Sequence, residues 1–157
     1  MGLRPGEAFT HRNIANICNP TDPNMLSVVE YAVRHLKVEH VVICGHASCG
    51  GVAATLGNAK LGIIDLWLQP MREIRERYAD ELRKLEPKEQ GDFLSKRNVE
   101  AGCKALKRVP TVIEAMKERG MEIHGVFYNP GSGLLEELDC GEDEKTTSDK
   151  DWAFEVK

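Results

Sequence analysis

The 157-residue sequence contains no apolar run approaching the roughly 20 residues that a membrane-spanning helix needs. No apolar stretch follows the start Met1-Gly2-Leu3-Arg4-Pro5-Gly6, so it does not read as a secretory signal. Gly2 makes no myristoylation pattern, because Gly6 stands where Ser or Thr is required. Basic charge is not in excess. The 21 lysines and arginines are scattered among 25 acids for a net charge of −4, which offers no basic face to nucleic acid. The five cysteines, Cys18, Cys44, Cys49, Cys103 and Cys140, are odd in number and irregularly spaced. They do not suit a disulfide framework and point to metal or catalytic use in a reducing, cytoplasmic compartment, with three of the five filling core space. Neither membrane nor nucleic acid is therefore an expected partner.

What is present describes a globular chain: 41% hydrophobic and 29% charged residues, long enough for one sizeable core. Residues 1–140 read as a single domain. Residues 141–157, where six acids face three lysines and Trp152 and Phe154 are the aromatics, read as a polar, mobile tail. Ala8 to Ile14, with no strong breaker, is expected as a short strand. Asp22 at an N-cap and Pro23 at the first helical position open a helix, whose apolar stripe is Leu26, Val29, Val33 and Leu36. His40 to Cys44 holds the β-branched run Val41-Val42-Ile43 and reads as a strand buried on both faces.

A short helix is expected from Gly50-Gly51 to about Gly57. A longer one covers Ile63 to Leu85, with a break at Pro70 and an end at Pro87. Further helices are expected over Asp92 to Arg108 and over Pro110 to Arg119, the latter stopped by Gly120. Met121 to Tyr128 reads as a strand, and the turn Asn129-Pro130-Gly131-Ser132-Gly133 returns Leu134 to Leu138 as an edge strand. The order implies an α/β fold with a largely parallel sheet flanked by helices.

The chemistry-bearing run is Cys44-Gly45-His46-Ala47-Ser48-Cys49-Gly50-Gly51. His46 and Cys49 follow the C-terminal end of an expected buried strand, where open α/β sheets place ligand sites. Imidazole and thiolate both suit Zn²⁺, and a short loop entering a helix can turn both to one side. Gly45, Gly50 and Gly51 would relieve crowding at the tight turn, and the helix N-terminus would favour the thiolate. A structural alternative has His46 capping the strand and Cys49 packing as a small apolar residue. A cysteine nucleophile lacks a third group to orient His46, and a phosphate loop lacks the G-K-[S/T] ending. Arg12 reads as a surface ion-pair residue, Asp65 and Trp67 as capping or packing residues, and His35, His40 and His124 as structural or solvated.

Several segments resemble plant- and fungal-type β-carbonic anhydrases in the same order. These are Gly6 to Asn16, Ser27 to Val33, Val42 to Val52, Leu61 to Leu68, Asn98-Val99-Glu100, His124 to Tyr128 and Gly133-Leu134-Leu135. The resemblance implies a β-carbonic-anhydrase-like fold and a zinc ion held by two cysteines and a histidine, of which His46 and Cys49 match the last two. It implies reversible hydration of CO₂ to bicarbonate by zinc-bound hydroxide, in a homo-oligomer. The family's first cysteine, in a C-x-D-x-R motif whose Asp and Arg pair beside the metal, has no counterpart here, and neither does the central strand that carries it. The activity implied is correspondingly open to an alternative, a non-catalytic scaffold that associates with a complete homologue. Cys18 and Cys44 are the candidates to replace the missing thiolate.

Overall fold

A computed structural model describes residues 2–141. The expected tail, with Trp152 and Phe154, lies outside the described residues apart from Gly141. A 3₁₀ turn (Ile14–Asn16) precedes α1 (Pro23–Glu30), which continues through a π-helical turn (Tyr31–His35) into β1 (His40–His46). Then come α2 (Gly50–Leu56), α3 (Ile63–Trp67), α4 (Gln69–Arg77), α5 (Ala79–Leu82), α6 (Pro87–Leu106) and α7 (Pro110–Arg119). β2 (Glu122–Asn129) and β3 (Leu134–Leu138) close the order.

Among the described residues the sheet has three strands in the order β1-β2-β3. β1 and β2 are parallel, with Ile43 opposite Gly125 and His46 opposite Tyr128. β2 and β3 form the expected antiparallel hairpin. The α/β class holds, but with one parallel and one antiparallel ladder the sheet is mixed, and the far edge of β1 has no strand against it among these residues.

Helix α6 lies over one face of this sheet, and two glycines admit it. A Cβ placed on Gly45 would come 2.7 Å from Val99 Cγ2, and one on Gly125 would come 2.9 Å from Val99 Cγ1. Val99, fully buried, fills the space that both glycines leave. Ile43, Cys103 and Cys140 complete this part of the core, with Cys18 packed against it. The opposite face is open, and Val42, Cys44 and His46 on β1 are all exposed. This corrects the expectation that β1 is buried on both faces.

Other departures have local causes. Ala8 to Ile14 forms no strand, because a strand needs a partner for its peptide groups and none pairs with it. The 3₁₀ turn after it is held by side chains instead. Trp67 Nε1 donates to the Ile14 carbonyl at 2.9 Å, Asn98 Nδ2 donates to the Ala15 carbonyl at 2.8 Å, and Asn13 both donates to and accepts from Ile17.

In α1 the Asp22 cap and Pro23 stand as expected, with Asp22 Oδ1 accepting from the Asn24 amide at 2.9 Å. The π turn, however, closes from the Leu36 amide to the Tyr31 carbonyl, one residue wider than an α turn. That extra residue rotates the end of the helix, so Val33 is buried but Leu36 is 47% exposed. Ile63 to Leu85 divides into α3, α4 and α5 at Leu68 and Tyr78. Pro70 lies in the first turn of α4, where its missing N–H costs nothing, and Pro87 opens α6 with a capping box between Glu86 and Glu89. The helix over Asp92 to Arg108 therefore starts earlier than expected. Gly120 ends α7 in the left-handed conformation, as expected.

Candidate metal centre

β1 ends at His46, and the chain reverses through Ala47 and Ser48 before Cys49 takes the N-cap position of α2. Ser48 has φ 57°, a left-handed conformation that costs a non-glycine residue about 1–2 kcal/mol. The turn is held by neighbours: the Ala47 amide donates to the Tyr128 carbonyl at 2.9 Å, and Ser95 Oγ donates to the His46 carbonyl at 3.3 Å.

His46 is exposed on the open face of the sheet, and its Nδ1 lies 2.8 Å from the Ala47 carbonyl oxygen. A carbonyl only accepts, so Nδ1 carries a proton, and in the neutral imidazole Nε2 is the nitrogen with the lone pair. This is the tautomer that a metal-ligating histidine needs. Cys49 is 8% exposed and packs in a cluster with Ala15, Val52 and Leu68, its side chain making no capping hydrogen bond to α2. The imidazole is thus presented outward and the thiol is seated at the rim of the core.

The supporting glycines divide. A Cβ on Gly51 would lie 2.8 Å from Ala15 Cβ and 3.1 Å from Ile14 Cγ2, whereas one on Gly50 would meet nothing within 4 Å. Gly45 and Gly51 are required by close approach, and Gly50 is not, which corrects the expectation for that residue. Ala15 cannot turn its methyl away, since its backbone is held at φ 61° by Asn98. Gly51→Ala is therefore expected to cost about 1–3 kcal/mol in urea denaturation, the usual penalty of overpacking. Gly50→Ala is expected to be neutral or to stabilise by up to about 1 kcal/mol. The Ile14–Asn16 turn, clamped by Asn13, Trp67 and Asn98, was not legible as a support of the loop, because its partners are distant in sequence.

Two donors do not complete a zinc site. Among the described residues the one group of three or more His, Cys, Asp and Glu with ligand atoms within 4.8 Å of one another is His40, Glu122 and His124, at the other end of β1. Neither substitute thiol joins His46 and Cys49. Cys18 packs against Gly102, its Sγ 3.2 Å from where a Cβ there would stand, and burial pushes its thiol up to about 11, away from the thiolate a metal binds. Cys44 shares the open face of β1 with His46. Its Sγ lies 3.5 Å from the Gly45 carbonyl, and partial burial raises its pKa. The residues present thus fit part of a catalytic zinc site and not the whole. Asp65 and Trp67 are structural: Asp65 accepts from the Leu61 amide and from Arg72. Arg12 is exposed.

Fold and loop together define an α/β protein with a histidine and a cysteine three residues apart at the C-terminal end of a parallel strand. The carbonic anhydrase family model matches residues 1–135. A carbonic anhydrase of Candida albicans is 40% identical over 150 residues, covering 92% of this chain and 52% of that protein. One from Emericella nidulans is 41% identical over 140 residues, covering 88% and 61%. Among solved structures, a β-carbonic anhydrase of Aspergillus fumigatus superposes with a TM-score of 0.90 at 53% identity, covering 92% of this chain and 69% of that one. One described as tetrameric, from Sordaria macrospora, gives 0.87 at 49% identity, covering 90% and 73%. The chain belongs to the carbonic anhydrase family, in its β class. It spans 52% to 61% of the length of the two curated relatives.

Proposed function

We propose that His46 and Cys49 are two of three protein ligands of a catalytic zinc, and that they serve reversible hydration of CO₂ to bicarbonate once a third ligand joins them. The observation that carries this reading is the 2.8 Å contact of His46 Nδ1 with the Ala47 carbonyl oxygen. His46 Nδ1–H donates to the Ala47 carbonyl, which leaves the Nε2 lone pair for a metal. Bound there, zinc would supply Lewis acidity and lower the pKa of a coordinated water to about 7. This chain's own residues hold the donors: Ser95 and Tyr128 fix the loop backbone, and Gly51 against Ala15 sets where α2 begins.

The third ligand, by family resemblance the cysteine of a C-x-D-x-R segment, has no counterpart in these 157 residues. Fusing that segment from the Aspergillus fumigatus relative to this chain tests the reading. A zinc-loaded fusion that hydrates CO₂ supports it. A folded, zinc-loaded and inactive fusion favours the second reading, a non-catalytic scaffold.

That second reading has its own observation in the edge of β1, unpaired among the described residues, and in the exposed apolar residues Val42, Ile63, Leu66, Leu134 and Leu135. Such surfaces seek a partner. We accordingly propose homo-oligomerisation, in keeping with the tetrameric description of the Sordaria relatives. Sedimentation velocity is expected to show association that grows with concentration, and a monomer at all concentrations would contradict it.

A further inference from the structure

The N-terminal end of the parallel strand pair carries a second constellation. Parallel register sets His40 of β1 opposite Glu122 of β2, and Val42 opposite His124. Residues two apart on a strand share a face, so His40, Glu122 and His124 converge on the open side of the sheet. His40 Nδ1 lies 3.1 Å from His124 Nε2 and 3.5 Å from Glu122 Oε2, while the last two atoms are 3.4 Å apart.

Three particular atoms thus form a nearly equilateral triangle. Zn²⁺ bound at 2.0–2.2 Å by nitrogen and oxygen ligands in tetrahedral geometry requires ligand atoms roughly 3.3–3.5 Å apart. The 3.1 Å between the two imidazoles is also a hydrogen-bond distance, but Glu122 Oε2 stands nearly equidistant from both nitrogens, at 3.5 and 3.4 Å, closer to neither. The remaining nitrogen of His124, Nδ1, lies 3.5 Å from Glu137 Oε1 on β3. A carboxylate at that position orients a ligating imidazole and raises its basicity.

We propose that His40, Glu122 and His124 form a zinc-binding site, with Glu137 positioning His124. The donor set of two imidazoles and one carboxylate suits Zn²⁺ among the first-row divalent ions and leaves further positions open to solvent. At the strand spacing of about 3.3 Å per residue, it lies about 20 Å along β1 from His46. A metal there ties β1 to β2 where the two strands enter the sheet, and it would stabilise the fold through mass action. The site stands on this geometry alone and does not depend on the CO₂ reading.

The experiment is calorimetric titration of the metal-free chain with Zn²⁺, repeated with Co²⁺ for its absorption spectrum. Three variants accompany it: His40→Ala with His124→Ala, Glu122→Gln, and His46→Ala with Cys49→Ser. The expected result is one Zn²⁺ bound per chain, with the double histidine variant weaker by about a hundredfold or more and Glu122→Gln weaker by about tenfold. His46→Ala with Cys49→Ser is expected to leave that affinity within about twofold, and bound Co²⁺ is expected to show ligand-field bands without thiolate charge transfer.

The three side chains are 30% to 62% exposed, so circular dichroism is expected to find these variants folded. Glu122→Gln, nearly isosteric, decides the matter if the double histidine variant does not fold. Absence of stoichiometric binding by the unaltered chain would overturn the proposal. So would affinity unchanged by Glu122→Gln, or binding lost with His46 and Cys49 instead.

Discussion

In the zinc-loaded fusion with a C-x-D-x-R segment, Cys49→Ser and His46→Ala are each expected to reduce CO₂ hydration to near the buffer rate. The reason is the ligand count. Zinc held by four protein ligands in small domains is bound with about 10–16 kcal/mol, roughly 3 kcal/mol per ligand, so losing one of three lowers affinity by about a hundredfold or more. Serine is nearly the size of cysteine, and Cys49 is 8% exposed, so Cys49→Ser should leave packing with Val52 and Leu68 largely intact. The loss should therefore appear together with zinc release while the thermal transition of the metal-free protein stays within a few degrees. Retained activity in either variant would remove that residue from the ligand set.

Leu94→Ala is expected to have the largest effect on stability, a loss of about 2–5 kcal/mol in urea denaturation. Leu94 is fully buried on α6, in the same cluster as Cys49, Val52, Leu68 and Met71. Truncation removes its transfer free energy and leaves a cavity that the surrounding helices fill only in part. For a chain of this size each kcal/mol lowers the midpoint by about 2–4 °C, so the transition should fall by about 4–20 °C. Ile63, 78% exposed, supplies the control: Ile63→Ala should stay within about 0.5 kcal/mol. Similar losses at both positions would mean that the core is not where α6 places it.

The parts of this protein legible in its sequence are those set by local signals. Asp22 and Pro23 announce α1, the Val41-Val42-Ile43 run announces β1, and Asn129 to Gly133 turns the hairpin, because in each case the physics is contained within a few neighbouring residues. The turn from β1 through His46 and Cys49 into α2 was legible for the same reason, its glycines and the β-branched run before it being close in sequence.

The features that escaped depend on distant partners or on balances too fine for periodicity. Ala8 to Ile14 has a composition that permits a strand, but the chain runs instead into a 3₁₀ turn clamped by Trp67 and Asn98, both distant in sequence. Leu36 belongs to the apolar stripe of an α-helix and is turned outward by a π turn. Pro87 is a breaker within a helix and a good starter at its first turn, and the Glu86/Glu89 box decides between the two. His40 and His124 are 84 residues apart, so nothing in their spacing shows that parallel register brings them together. The ladder that joins them is the least local feature of the fold.

On the function proposed, His46 and Cys49 are necessary ligands that the described residues do not complete into a catalytic centre. Stopped-flow CO₂ hydration by the unextended chain, purified folded and supplied with excess Zn²⁺, tests this most directly. The expected rate is no faster than the zinc-containing buffer, for the unaltered chain and for Cys49→Ser alike. Hydration well above that background, abolished by Cys49→Ser, would contradict it and would require a third ligand from within this chain.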